Sequence, residues 1–230
     1  MDEATARREE LVEFWRELAD CQKCPLAGSR TQVVFGNGNA DADLMFVGEA
    51  PGFHEDQQGK PFVGRAGKLL DELLEGIGLT REDCFVANVL KCRPPGNRDP
   101  EPLEIDACQG HLMKQIELIQ PRVVCTLGNF ATKLLSGRQD GISRVRGTPQ
   151  VHQLSERVVF LYPIFHPAAA LRTPAVREQL REDFQRLPAL LEEPLPEADP
   201  APAPEPVMPA PELVGVGHQQ GTEPDQLGLF

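Results

Sequence analysis

Four short apolar runs constrain this chain more than any other feature: Asp43 to Gly48, Cys84 to Leu90, Arg122 to Leu127 and Val158 to Pro163. Each is too short for a helix and apolar enough for a strand buried on both faces. Segments of helical periodicity separate them. Residues 66–77 predict a helix closed by Gly78, and residues 101–119 a second, with Pro100 and Pro102 near its start. Further helices are expected over 129–136 and 174–187, the last extending toward Leu191, and an opening helix over 5–19 carries Leu11, Val12, Phe14, Trp15 and Leu18. Strands alternating with helices imply an α/β fold with a parallel sheet covered on both faces. Ligands in such folds sit beyond the carboxyl ends of the strands.

At 230 residues and 40% hydrophobic, the chain can bury one sizeable core. No apolar run approaches the ~18 residues of a membrane span. The acidic start, Met1-Asp2-Glu3-Ala4, lacks the apolar stretch of a secretion signal, so the expected location is the cytoplasm. In that compartment six cysteines read as reduced thiols or metal ligands rather than disulfides. The net charge of −12 argues against a nucleic-acid partner until its distribution is considered. The segment from Pro188 to Phe230 holds eight acids, ten of the 22 prolines and no Lys or Arg. Without it the body is close to −4, and Arg65, Arg146 and Arg172 are among the cations that could form a local basic groove. Residues 192–225 are expected to be a disordered, acidic, Pro-rich linker, leaving 1–191 as the folded domain. The final Gln226-Leu227-Gly228-Leu229-Phe230 turns apolar again, as a docking peptide would.

The glycine-rich and polar residues gather just after the expected strands: Gly48-Glu49-Ala50-Pro51-Gly52, then Asn88 with Lys91 to Arg98, then Phe165 to Arg172. Three loops at one sheet edge make a candidate site. Cys21-x2-Cys24 and Cys92-x15-Cys108 offer four thiolates, and spacing alone suits zinc and iron–sulfur equally. Cys84 and Cys125 lie within the apolar strands and read as core residues.

These loops, the stretch Gly59 to Gly67 and the cysteine pattern together resemble the family 4 uracil-DNA glycosylases of the uracil-DNA glycosylase superfamily, from about Cys21 to about Leu191. The resemblance implies a three-layer α/β/α sandwich around a four-stranded parallel sheet. It implies a DNA-repair enzyme that flips uracil from DNA, hydrolyses its N-glycosidic bond and leaves an abasic site. It also implies a [4Fe-4S] cluster on Cys21, Cys24, Cys92 and Cys108. Asn88 would pair with the Watson–Crick edge of the extruded base, since an amide complements uracil's O4 acceptor and N3 donor. Phe62 would stack on that base, and His166 would donate to O2 as charge develops there. Glu49 would stabilise the sugar cation or orient water, with the backbone of Gly48, Glu49 and Ala50 lining the pocket. Glu55 and Asp56 are the runners-up for that carboxylate role.

Arg65 at a helix start, Arg146 and Arg172 are candidate phosphate contacts, and Leu171 a candidate duplex wedge. Bland alternatives remain for each: a strand cap for Asn88, a core aromatic for Phe62, solvated arginines. Two rival functions share the features, a superfamily protein that binds uracil-DNA without turnover and a redox module. The short, histidine-free Cys92–Asp99 loop disfavours the former, and the lack of a flavin or nicotinamide phosphate loop the latter. The terminal pentapeptide resembles the bacterial sliding-clamp ligand, through Gln226, Leu227, Leu229 and Phe230. The expected protein is a monomer, associated with the nucleoid and not with a membrane.

Overall fold

The computed structural model describes residues 3–195. The expected linker beyond residue 195 and the terminal peptide at 226–230 lie outside the described residues.

The four apolar runs form the four central strands. In chain order the elements are α1 (Glu3–Ala19), β1 (Asn37–Gly38), β2 (Leu44–Gly48), α2 (Phe53–Gln58), α3 (Arg65–Glu75), β3 (Cys84–Asn88) and α4 (Pro102–Ile119). Then follow β4 (Val123–Leu127), α5 (Asn129–Ser136), α6 (Ile142–Val145), β5 (Gln150–Leu154), β6 (Arg157–Ile164), α7 (Pro167–Ala170) and α8 (Pro174–Glu192). The sheet order is β1-β3-β2-β4-β6-β5. The inner four strands are parallel, and β1 and β5 add antiparallel edges. The four-stranded parallel sheet is therefore the centre of a six-stranded one.

Strand alternation sends successive side chains to opposite layers. Met45, Val47, Phe85, Ala87 and Val124 join Leu11, Phe14, Leu112 and Ile116 in one core. Leu44, Phe46, Cys84, Val86 and Cys125 join Leu70, Leu74, Leu180 and Phe184 in the other. Helices α1, α4 and α5 thus cover one face, α3 and α8 the other. Burial pushes the thiols of Cys84 (to about 12) and Cys125 up, as befits core residues that stay protonated. The last helix runs to Glu192, past the expected domain limit at residue 191. No helix among the described residues is long and apolar enough to cross a membrane.

Candidate active site and thiol cavity

The strands β2, β3 and β6 end at one edge, and the loops that leave them enclose a cavity of about 360 Å³. Its lining includes Glu49, Ala50, Phe62, Asn88 and His166, all expected from sequence, together with Glu55, Ala66, Arg98 and Ala168.

Asn88 ends β3 opposite Gly48 at the end of β2. Its side chain is buried, yet its amide has no hydrogen-bond partner among the described residues. The amide opens onto the cavity, where water or a ligand can complete its hydrogen bonds. Gly48 makes the arrangement possible. A Cβ there would collide with Asn88 Oδ1 and lie 2.8 Å from Phe62 Cζ. The backbone of Asn88 is fixed from behind: buried Lys91 donates through Nζ to Asn88 O at 2.8 Å and to Gln115 Oε1, and Gln115 donates to Phe35 O.

Phe62 is held by unusual means. Its φ of 53° is left-handed, a conformation that bulky residues avoid. Arg81 donates to its carbonyl at 3.1 Å, and Gly67 leaves space for that carbonyl where a Cβ would collide with it. Glu55 Oε1 accepts from Val63 N and Gly64 N, anchoring the same loop. The runner-up acids thus have structural tasks, because Asp56 is buried and accepts from Thr31 N. The Phe62 ring stacks on the His166 ring, with centroids 5.5 Å apart and planes 27° apart.

His166 caps α7, its Nδ1 accepting from Ala168 N at 3.1 Å. That bond assigns the proton to Nε2 in the neutral ring. Desolvation lowers the imidazole's pKa to about 4, against an opposing pull from Glu55. The ring is therefore a neutral N–H donor at physiological pH. Glu49 is shifted the other way, first by desolvation and then by the charge of Asp99. Glu49, Asp99 and His166 also line a second cavity of about 360 Å³ with Lys133 and Gly128.

The expected DNA contacts divide. Arg65, Leu171 and Arg172 are exposed, and Arg65 adjoins Ala66 at the cavity wall. Arg146 is engaged within the fold through two of its three guanidinium nitrogens. Its Nε and Nη2 donate to the two carboxylate oxygens of buried Asp183 at 2.9 and 2.8 Å, and Nη2 also reaches Gln179 O. That pairing is not visible in the local sequence, because Asp183 lies 37 residues away on α8.

Cys21, Cys24, Cys92 and Cys108 come together around one small cavity walled by Leu18, Val33 and Ala107. Among the described residues, no three His, Cys, Asp or Glu converge closely enough to hold a single ion. Four soft sulfurs around a common space are a donor set that zinc and iron–sulfur clusters both use. The surrounding donors suit thiolate sulfur: Arg30 Nη1 lies 3.7 Å from Cys92 Sγ and Lys91 N 3.3 Å from Cys108 Sγ.

The chain is also similar in sequence to known proteins. The model of the uracil DNA glycosylase superfamily matches residues 35–187. A type-4 uracil-DNA glycosylase of Archaeoglobus fulgidus is 46% identical over 183 residues, 78% of this chain and 92% of that one. Proteins of the same name from Sulfurisphaera tokodaii and Thermotoga maritima are each 45% identical, over 182 and 183 residues. These cover 77% and 78% of this chain, and 83% and 94% of the relatives. Fold, cavity and matched length together place the chain in the uracil DNA glycosylase superfamily.

Proposed function

We propose that the protein excises uracil from DNA by hydrolysis, as the names of its relatives describe for them. The observation that carries this reading is the amide of Asn88, which opens onto a cavity that Phe62 and His166 also line and has no hydrogen-bond partner among the described residues. Uracil stacked on Phe62 receives the Asn88 N–H at O4 and gives its N3–H to the amide oxygen. The N1–C1′ bond breaks, its electron pair leaves on uracil, and His166 Nε2–H stabilises the charge at O2. Water adds to the electron-poor C1′ and passes its proton to the Glu49 carboxylate, leaving an abasic sugar. Purified protein should convert a uracil-containing oligonucleotide into alkali-labile strands. Binding without strand breaks would sink the reading.

The pH profile tests the division of labour. Glu49 acts as a carboxylate, and its pKa is raised, so activity is present above that raised value and lost as pH falls through it. His166, lowered to about 4, stays neutral across this window and adds no limb there. The acid limb of kcat should thus lie above the ordinary carboxylate range. Asp99→Asn should move it toward lower pH, and Glu49→Gln should abolish it with most of the activity. A profile unchanged in Glu49→Gln would remove that residue from the mechanism.

The thiol cavity is assigned to a [4Fe-4S] cluster held by Cys21, Cys24, Cys92 and Cys108. The cluster would tie α1 to α4 and to the loop after β3, and no catalytic step passes through it. Anaerobically purified protein should contain iron and acid-labile sulfide in equal amounts, with broad visible absorbance that Cys108→Ser removes. Stoichiometric zinc without sulfide would replace this assignment.

A further inference from the structure

Phe53 opens α2 directly after Pro51 and Gly52, which line the uracil cavity, yet its own ring is 52% exposed. A large aromatic left in water needs a reason when it stands at the rim of a site. The Arg93 guanidinium lies over this ring, 5.1 Å from its centroid. Arg93 immediately precedes Pro94 in the loop after β3, and its Nε donates to Asn97 Oδ1 at 2.7 Å. Pro94 and Asn97 also line the cavity. The pair therefore bridges two of the three loops along one side of the mouth. Among the described residues Arg93 makes no ion pair, so it retains donors for an external anion. His54 meets the Phe53 ring edge-on, with centroids 5.5 Å apart.

We propose that Phe53 and Arg93 form a stacking platform for the nucleotide next to the extruded uracil, Phe53 taking its base and Arg93 a flanking phosphate. This deepens the uracil-excision reading and rests on it. An exposed aromatic beside a free guanidinium is the combination that holds unpaired bases without regard to sequence. Paired neighbours remain stacked in a duplex, so the platform acts most strongly on single-stranded substrate. The chemical class bound is thus an unstacked nucleobase with its phosphodiester, one nucleotide removed from uracil.

The test compares wild type, Phe53→Ala and Phe53→Trp on a single-stranded oligonucleotide with one uracil, and on the matching duplex. Phe53→Ala should raise KM on the single strand about tenfold, with a much smaller change in kcat. The duplex should show a smaller rise, and Phe53→Trp should restore the single-strand KM. Replacing the neighbouring base by a baseless spacer, first on one side and then the other, should erase the difference between wild type and Phe53→Ala on one side only. An unaltered KM in Phe53→Ala overturns the proposal, as does a penalty that survives both spacers; the latter would make Phe53 structural or a contact for another protein. Fluorescence anisotropy with the same oligonucleotides separates the two readings. A wild type that releases no uracil but loses affinity in Phe53→Ala would refute excision and keep the platform.

Discussion

Removing the imidazole of His166 should lower kcat by roughly 10²–10³-fold, the usual effect of deleting one donor to a developing oxyanion. The ring is a neutral N–H donor, with Nδ1 occupied by Ala168 N and the pKa lowered to about 4. Its contribution is therefore specific to the transition state, and KM should move little in His166→Ala. Asn88→Ala should behave differently. A complementary pair of hydrogen bonds to a base edge is worth roughly tenfold to hundredfold in discrimination. The loss should fall on kcat/KM for uracil, with a reduced preference for uracil over cytosine. The two variants are to be compared in single-turnover assays on one oligonucleotide. Equal, small losses in both would show that neither side chain touches the reacting base.

Arg146→Ala is expected to cost stability rather than DNA affinity. Asp183 is fully buried, burial pushing its carboxyl up while Arg146 pulls it down. Deleting the arginine leaves that acid without its bidentate partner, a change that costs about 3–5 kcal/mol. For a chain of this size, ~2–4 °C per kcal/mol gives a Tm lower by about 6–20 °C. Adding Asp183→Asn should recover part of the loss, because it removes the stranded charge. An unchanged Tm with weaker, less salt-dependent DNA binding would return Arg146 to the phosphate-contact role expected from sequence.

The central strands were legible because parallel strands covered on both faces leave uninterrupted apolar runs, as in Leu44–Gly48 and Val123–Leu127. The edge strands were not. Asn37–Gly38 is two exposed residues, and Gln150–Leu154 is mostly polar with Val151 facing outward. Their strand character comes from pairing with β3 and β6, which local sequence does not encode. That Glu49, Phe62, Asn88 and His166 would gather at one edge was legible through their position after strands and through family resemblance. What escaped was the scaffold around them. The left-handed backbone of Phe62 depends on Gly67 and Arg81, and Glu55 anchors the same loop through its Oε1. Two signals were available: glycine at both Gly64 and Gly67 beside an aromatic, and an acid eight residues before Val63. Neither has meaning until the chain is folded back on itself.

The four thiols that meet in one cavity are far apart in time as well as in sequence. Cys24 precedes Cys108 by 84 residues, and α1 packs on α4, with Phe14 against His111. At ribosomal speeds of ~5–20 residues per second, that gap lasts roughly 4–17 s. During it, Cys21 and Cys24 have been synthesised while the helix that will cover them has not. They stand on a solvated segment, open to oxidants and to stray metals. Redox conditions therefore act on these thiols while the ribosome is still at work, before there is any folded protein to shield them.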